Sequence, residues 1–216
     1  MTDDTLRAIQ RALAETYDAL APTYARVVAP IYRPLAKRLL QLVDLRPGWQ
    51  VLDAGAGTGL VALLAAPRVT KSGKIIGIDA SDKMLEIARG KAAQFGFSQC
   101  EFRVGNLEAL DLPDAQFNAA LSEFALHYTD PAKSLREFYR VLVPGGTLAL
   151  HIWAAESSAP HKTMHDVLLP FRAPDDGALA SRRAQSARSD QFRPLRAFGT
   201  VEQIKRAVES AGFANV

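Results

Sequence analysis

Between Asp3 and Leu20 the apolar residues Leu6, Ile9, Leu13, Tyr17 and Leu20 recur at steps of three and four. That spacing places them on one face of an α-helix. A second helix is expected with Pro34 in its first turn, running through Leu35, Leu39 and Leu42 and stopping at Pro47-Gly48. Residues 1–46 thus read as a helical cap ahead of the first strand. From Trp49 the pattern changes to short apolar runs, which predict strands at 49–54, 74–79, 100–104, 117–122 and 146–153. Helices are expected between them at 59–66, 81–95 and 131–142, the second capped by Ser81 and the third by Asp130-Pro131. Strand and helix in alternation predict a doubly wound α/β fold with a mainly parallel sheet. Periodicity then breaks at Pro160, Pro170, Pro174 and Pro194, so 154–199 reads as a lid inserted after strand five. It returns at Thr200, whose spacing to Gln203 predicts a capping box for a last helix closed at Gly212. The division expected is one domain over 1–216: cap, core at 47–153, lid, and last helix at 200–216.

With 216 residues, 48% of them hydrophobic and 23% charged, the chain can bury a core without covalent staples. Its one cysteine, Cys100, makes no internal disulfide and points to a reducing, cytoplasmic setting. The acidic opening Met1-Thr-Asp-Asp does not read as a signal peptide, and no apolar run approaches the roughly 18 residues of a membrane span. Lys and Arg number 26 against 23 Asp and Glu, which leaves no footprint for nucleic acid. The excess is concentrated in 181–196, where Arg182, Arg183, Arg188, Arg193 and Arg196 face one Asp190. Such a run reads either as a solvated surface or as a clamp for an anionic substrate.

Open parallel sheets bind ligands at the carboxyl ends of their strands. There, after strand one, stands Asp53-Ala-Gly55-Ala56-Gly57-Thr-Gly59, whose glycines permit positive φ and close approach of a ligand to the main chain. Strand two ends in Asp79, placed to accept both hydroxyls of an adenosine ribose. Asn106, after strand three, can accept from the adenine amine, with Met84 and Leu107 as apolar faces for the ring. A dinucleotide fingerprint, G-x-G-x-x-G, needs its third glycine at position 60, which is Leu60. No Lys-Ser/Thr sequel makes a phosphate loop either.

The run Val51–Gly59 resembles the first motif of the class I S-adenosylmethionine-dependent methyltransferases, and Asp79–Arg89 resembles the segment after it. Gly105-Asn-Leu-Glu-Ala-Leu110, Phe124-Ala-Leu-His-Tyr128 and Leu142-Val-Pro-Gly-Gly146 are similar to later motifs. The likeness covers about 15–153 and 198–216. It is to the small-molecule branch that includes ubiquinone and menaquinone C-methyltransferases. It implies a Rossmann-like fold, S-adenosylmethionine as cofactor, S-adenosylhomocysteine as product and a small-molecule acceptor. It further implies that Gly55 and Gly57 lie along the methionine part, Asp53 near its amino group, Asp79 at the ribose, and Asn106 and Leu107 at adenine. Ala56, Ala80, Met84 and Ser122 complete the expected cofactor surface. Tyr17 and Tyr24, in a segment like that branch's substrate-side cap, are expected with Tyr128 and Trp153 on the acceptor side. The family more often carries Asp at the Asn106 position, which alters the hydrogen-bond balance at adenine.

Candidate bases for an acceptor proton are His127 first and His151 second, with Tyr128 and Glu123 behind them. Alignment without any base is the other reading. His161 and His165 share a helical spacing but find no third ligand, so no metal is expected. A non-catalytic S-adenosylmethionine-binding or interaction protein, and a methyltransferase of protein or RNA, are the alternatives. Against amino-methylation of nucleic acid, strand four ends in Ser122-Glu-Phe-Ala125 and lacks an Asp/Asn-Pro-Pro-aromatic motif. Cys100 stands at the wrong sheet end for cysteine-dependent RNA methylation. Two further strands usually follow the last helix in this family, so a truncated chain, or edge pairing in a homodimer, is expected.

Overall fold

A computed structural model describes residues 3–152 and 200–214, with side chains from Ala8 onward. The expected lid at 154–199, with Trp153, His161, His165 and the arginine run, lies outside the described residues.

Strands β1 (Gln50–Ala54), β2 (Lys74–Asp79), β3 (Cys100–Val104), β4 (Phe117–Glu123) and β5 (Leu142–His151) form one sheet in the order β3-β2-β1-β4-β5. Every pairing is parallel. The strands read as near-continuous apolar runs because both sheet faces are covered. On one face Val51, Ile75, Ala119, Leu121 and Ala149 pack with α2 (Ala29–Gln41), α3 (Leu60–Val69) and α4 (Asp82–Gln94). On the other, Leu52, Ile76, Phe117 and Ala120 pack with α5 (Pro131–Val141) and α6 (Val201–Ser210). The chain order reverses between β1 and β4, so a crevice opens at their carboxyl ends.

The expected caps form. Ser81 Oγ accepts from Met84 N at 3.2 Å, Asp130 accepts from Ala132 and Lys133, and Thr200 and Gln203 close a capping box. Three boundaries differ from the sequence reading. The two N-terminal helices are one helical run, in which α1 (Asp3–Thr23) passes through a π-turn, Tyr24–Val28, into α2. Pro34 therefore sits inside α2, and Pro30 occupies its first turn. The π-turn just ahead of Pro30 makes the wider turn there, with Ala29 N–H reaching Tyr24 O. Helix α3 continues past 66, through Pro67 to Val69. β5 begins directly after α5, at Leu142, with a shift of register between Phe117 and Ala119 where Gly145 and Gly146 interrupt the pleat. Among the described residues, no helix is long and apolar enough to cross a membrane.

Candidate active site at the carboxyl ends of the strands

The turn after β1 is anchored to β2: Gly55 N–H and Ala56 N–H both donate to Ile78 O, at 2.8 and 3.0 Å. Its three glycines all have positive φ, yet their missing side chains serve different ends. A Cβ on Gly55 would meet Ala125 Cβ at 2.1 Å, and one on Gly59 would meet Ala88 at 2.9 Å. Those two glycines allow protein to pack on protein. Only at Gly57 would a Cβ enter open space, with nothing within 4 Å. Of the three, Gly57 is the one whose missing side chain leaves open space beside the turn.

Asp79, at the end of β2, ties this turn to α4. Its Oδ2 accepts from Gly57 N–H at 2.8 Å and its Oδ1 from Ser81 N–H at 2.9 Å, with Ala80 N–H also donating. Burial raises its pKa, and these three donors oppose the rise. A carboxylate has about four acceptor positions, so capacity remains for a ligand hydroxyl. Asp53 is 2% exposed and accepts from Ala62 N–H, in the first turn of α3, at 2.9 Å. Burial pushes its carboxyl up to about 7, against the Ala62 bond, and Glu123 and Asp79 add like-charge repulsion. These carboxylates, Asp53 buried and Asp79 half-buried, create a field that favours a cation.

The remaining expected cofactor residues divide. Ala56 is buried beside the turn, and Ala80 is exposed. Asn106 is exposed, and its Oδ1 accepts from Glu108 N–H at 2.9 Å, which folds the loop after β3. Leu107 is buried and lies 4.0 Å from the Gly55 Cβ position. Met84 is 2% exposed and Ser122 is fully buried, so both present core surfaces.

Of the residues expected on the acceptor side, Tyr17, Tyr24 and Tyr128 come together, while Trp153 lies outside the described residues. Tyr17 Oη and Tyr128 Oη are 3.0 Å apart, and Tyr17 meets both Tyr24 and Tyr128 edge-on. Burial raises the phenol pKa values of Tyr17 and Tyr24, so both hydroxyls stay protonated donors at neutral pH. His127 is 7% exposed on a short 3-10 turn and lies against Tyr128 with ring centroids 4.0 Å apart. His151 ends β5 beside Glu123.

Residues 45–176 match the model of a family described as a methyltransferase domain. The chain belongs to the class I S-adenosylmethionine-dependent methyltransferases. A ubiquinone/menaquinone biosynthesis C-methyltransferase, UbiE, of Cronobacter sakazakii is 29% identical over 99% of this chain and 84% of that protein. Nocamycin O-methyltransferase of Saccharothrix syringae is 31% identical over 93% of this chain and 71% of that one. The crystal structure of a SAM dependent methyltransferase from Aquifex aeolicus superposes with a TM-score of 0.52 and 28% identity, covering 56% of this chain and 65% of that one. This methyltransferase is an enzyme whose cofactor is S-adenosylmethionine and whose acceptor is a small molecule.

Several residues around the candidate site were given no role from the sequence of this methyltransferase. Asp18 of α1 accepts from Ser81 Oγ at 2.6 Å and from Lys83 N–H at 3.1 Å, docking α1 on the N-terminus of α4. Gln10 donates to Glu108, which also accepts from Asp130 N–H at 2.7 Å. Tyr32 of α2 lies against Phe124, with centroids 5.3 Å apart. Phe124 itself has φ +56, a backbone state rare for a bulky residue and concentrated at functional sites. Tyr17, Tyr24 and Tyr32, spaced seven and eight residues apart in the N-terminal segment, were the available hint.

Proposed function

We propose that this methyltransferase acts on a planar, conjugated small molecule bearing an ionisable hydroxyl, bound at the β4 and β5 ends beneath the N-terminal helices. The observation that carries this reading is the wall formed by Tyr17, Tyr24, Tyr32, Phe124, Tyr128 and His151 beside the cofactor turn. Ring faces and edges favour a flat conjugated nucleus, and phenol hydroxyls orient its polar groups. The names of the two relatives, one in quinone biosynthesis and one an O-methyltransferase, support an acceptor of this kind.

Gly57 and Asp79 are the residues proposed to hold the nucleoside part of the cofactor, with Asn106 and Leu107 at the base. Asp53 is proposed to face its cationic portion. When bound, S-adenosylmethionine supplies an activated methyl group, so the protein has to align the acceptor, exclude water and accept any proton released. The two carboxylates stabilise positive charge, and the rings of the N-terminal helices keep water out. An anionic group on the acceptor is supported by the arginines of 181–196. A homodimer through the outer side of β5 is supported by that strand lying at an edge of the described sheet. The single cysteine, Cys100, which can close no disulfide within the chain, supports a reducing, cytoplasmic setting.

The test uses 1,4-dihydroxynaphthalene, kept reduced with ascorbate, and S-adenosylmethionine labelled in its methyl group. Label is expected in the naphthalene product. Tyr24→Ala is expected to weaken acceptor binding about tenfold, the loss of roughly one ring contact, while S-adenosylhomocysteine binds as before. Methylation of an aliphatic amine such as ethanolamine, with none of the dihydroxynaphthalene, would overturn the reading.

A further inference from the structure

At the end of the β4–β5 ladder, Glu123 and His151 are register partners. Their side chains leave the sheet on the face of Leu121 and Ala149, the face roofed by α2 and α3. Glu123 Oε1 and His151 Nδ1 stand 3.7 Å apart. Both atoms are buried from solvent, and neither has a hydrogen-bond partner among the described residues. A carboxylate oxygen and a ring nitrogen buried face to face are each satisfied by the other after a small side-chain movement. The Glu123 side chain is 8% exposed and that of His151 20%, and Nδ1 has no share in the exposed surface of His151. Phe124 fixes the ring from above. It donates its N–H to His151 O at 2.8 Å and stacks on the imidazole at 5.8 Å, with 29° between the planes. Its positive φ is what turns it back over His151.

We propose that Glu123 and His151 form a carboxylate–imidazole pair in which Glu123 orients the ring and His151 Nε2 takes the acceptor's proton. This rests on the acceptor class proposed above. Glu123 accepts from Nδ1–H, which leaves the Nε2 lone pair toward the acceptor. As the acceptor oxygen forms its bond to the methyl carbon, the S–CH3 electron pair returns to sulfur. The O–H bond breaks toward Nε2, and the imidazolium formed is held by the Glu123 carboxylate. His151 is the catalytic residue and Glu123 the positioning residue. The other ionisable groups facing the pair are Asp53 from β1, and Tyr24 and Tyr32 from the N-terminal helices.

The pair is tested by histidine-resolved nitrogen NMR on the S-adenosylhomocysteine complex of the wild type, Glu123→Gln and His151→Gln, the last assigning the signal. Neutral His151 is expected to carry its proton on Nδ1, and its ring-nitrogen chemical shifts to move in Glu123→Gln. A proton on Nε2, or ring-nitrogen shifts that Glu123→Gln leaves in place, overturns the pair. With dihydroxynaphthalene, His151→Gln is expected to lower kcat about 10²–10⁴-fold, with S-adenosylhomocysteine affinity retained. A kcat within about twofold of wild type overturns the catalytic assignment, since general-base loss is far larger. If the wild type does not methylate this probe, the acceptor class falls, while the NMR arm still decides the pair.

Discussion

Gly55 and Gly57, two residues apart and both at positive φ, should respond unequally to the same substitution. Gly55→Ala forces a Cβ onto Ala125 in a left-handed backbone and is expected to destabilise by about 2–4 kcal/mol. Gly57→Ala meets no atom, so it is expected to cost about 1–2 kcal/mol from the backbone alone and to weaken S-adenosylhomocysteine binding more than Gly55→Ala does per unit of stability lost. Urea denaturation with calorimetry on both variants checks this. Asp53 gives a signed pH effect. Its folded-state pKa is raised to about 7, so between the ordinary carboxylate range and pH 7 the folded chain holds a proton that the unfolded chain has released. Stability from this group is therefore present at low pH and lost as pH rises through that window. Asp53→Asn keeps an acceptor for Ala62 N–H, so it is expected to be stabilising by about 1–3 kcal/mol at pH 8 and near neutral at pH 4. Denaturation midpoints at the two pH values decide it. At this scale the sequence was only partly legible. Asp53, Asp79 and the glycines stand out by type and spacing, but which glycine faces open space depends on Ala125 and Ala88, 70 and 29 residues further along the chain.

Among the elements, the strands and the helices between them were readable because each repeats its own period and carries its own caps. The join between the two N-terminal helices was not, since a proline normally marks a helix start and here a π-turn absorbs Pro30 while Pro34 lies in the interior. The seat of α1 was equally hidden, because Asp18 looks like any solvated acid until its partners at 81 and 83 are known. Asp18→Ala removes an acceptor from the start of α4 and is expected to cost about 1 kcal/mol. It should also speed hydrogen exchange selectively in 8–23 and 82–86. Uniform acceleration across the sheet would show that α1 is not separately docked.

For the whole molecule, topology followed from the alternation of elements, while the meeting of Tyr17, Tyr24, Tyr32, Phe124 and Tyr128 is a product of the folded arrangement alone. A ligand that bridges these parts stabilises them together. S-adenosylhomocysteine at a hundred times its Kd is expected to add about 2.7 kcal/mol, raising Tm by roughly 5–10 °C for a chain of this size, whereas NAD at the same concentration should leave it unchanged. Scanning fluorimetry reads both. The docking of α1 also bears on how the protein is made. Its bonds from Gln10, Tyr17 and Asp18 reach Glu108, Tyr128 and Ser81, separations of 98, 111 and 63 residues. A ribosome adding about 5–20 residues per second completes the first helix roughly 5–20 s before Tyr128 exists. For that interval its apolar stripe lacks the Tyr128 end of its seat, and the nascent chain offers chaperones an amphipathic segment that the finished enzyme partly covers.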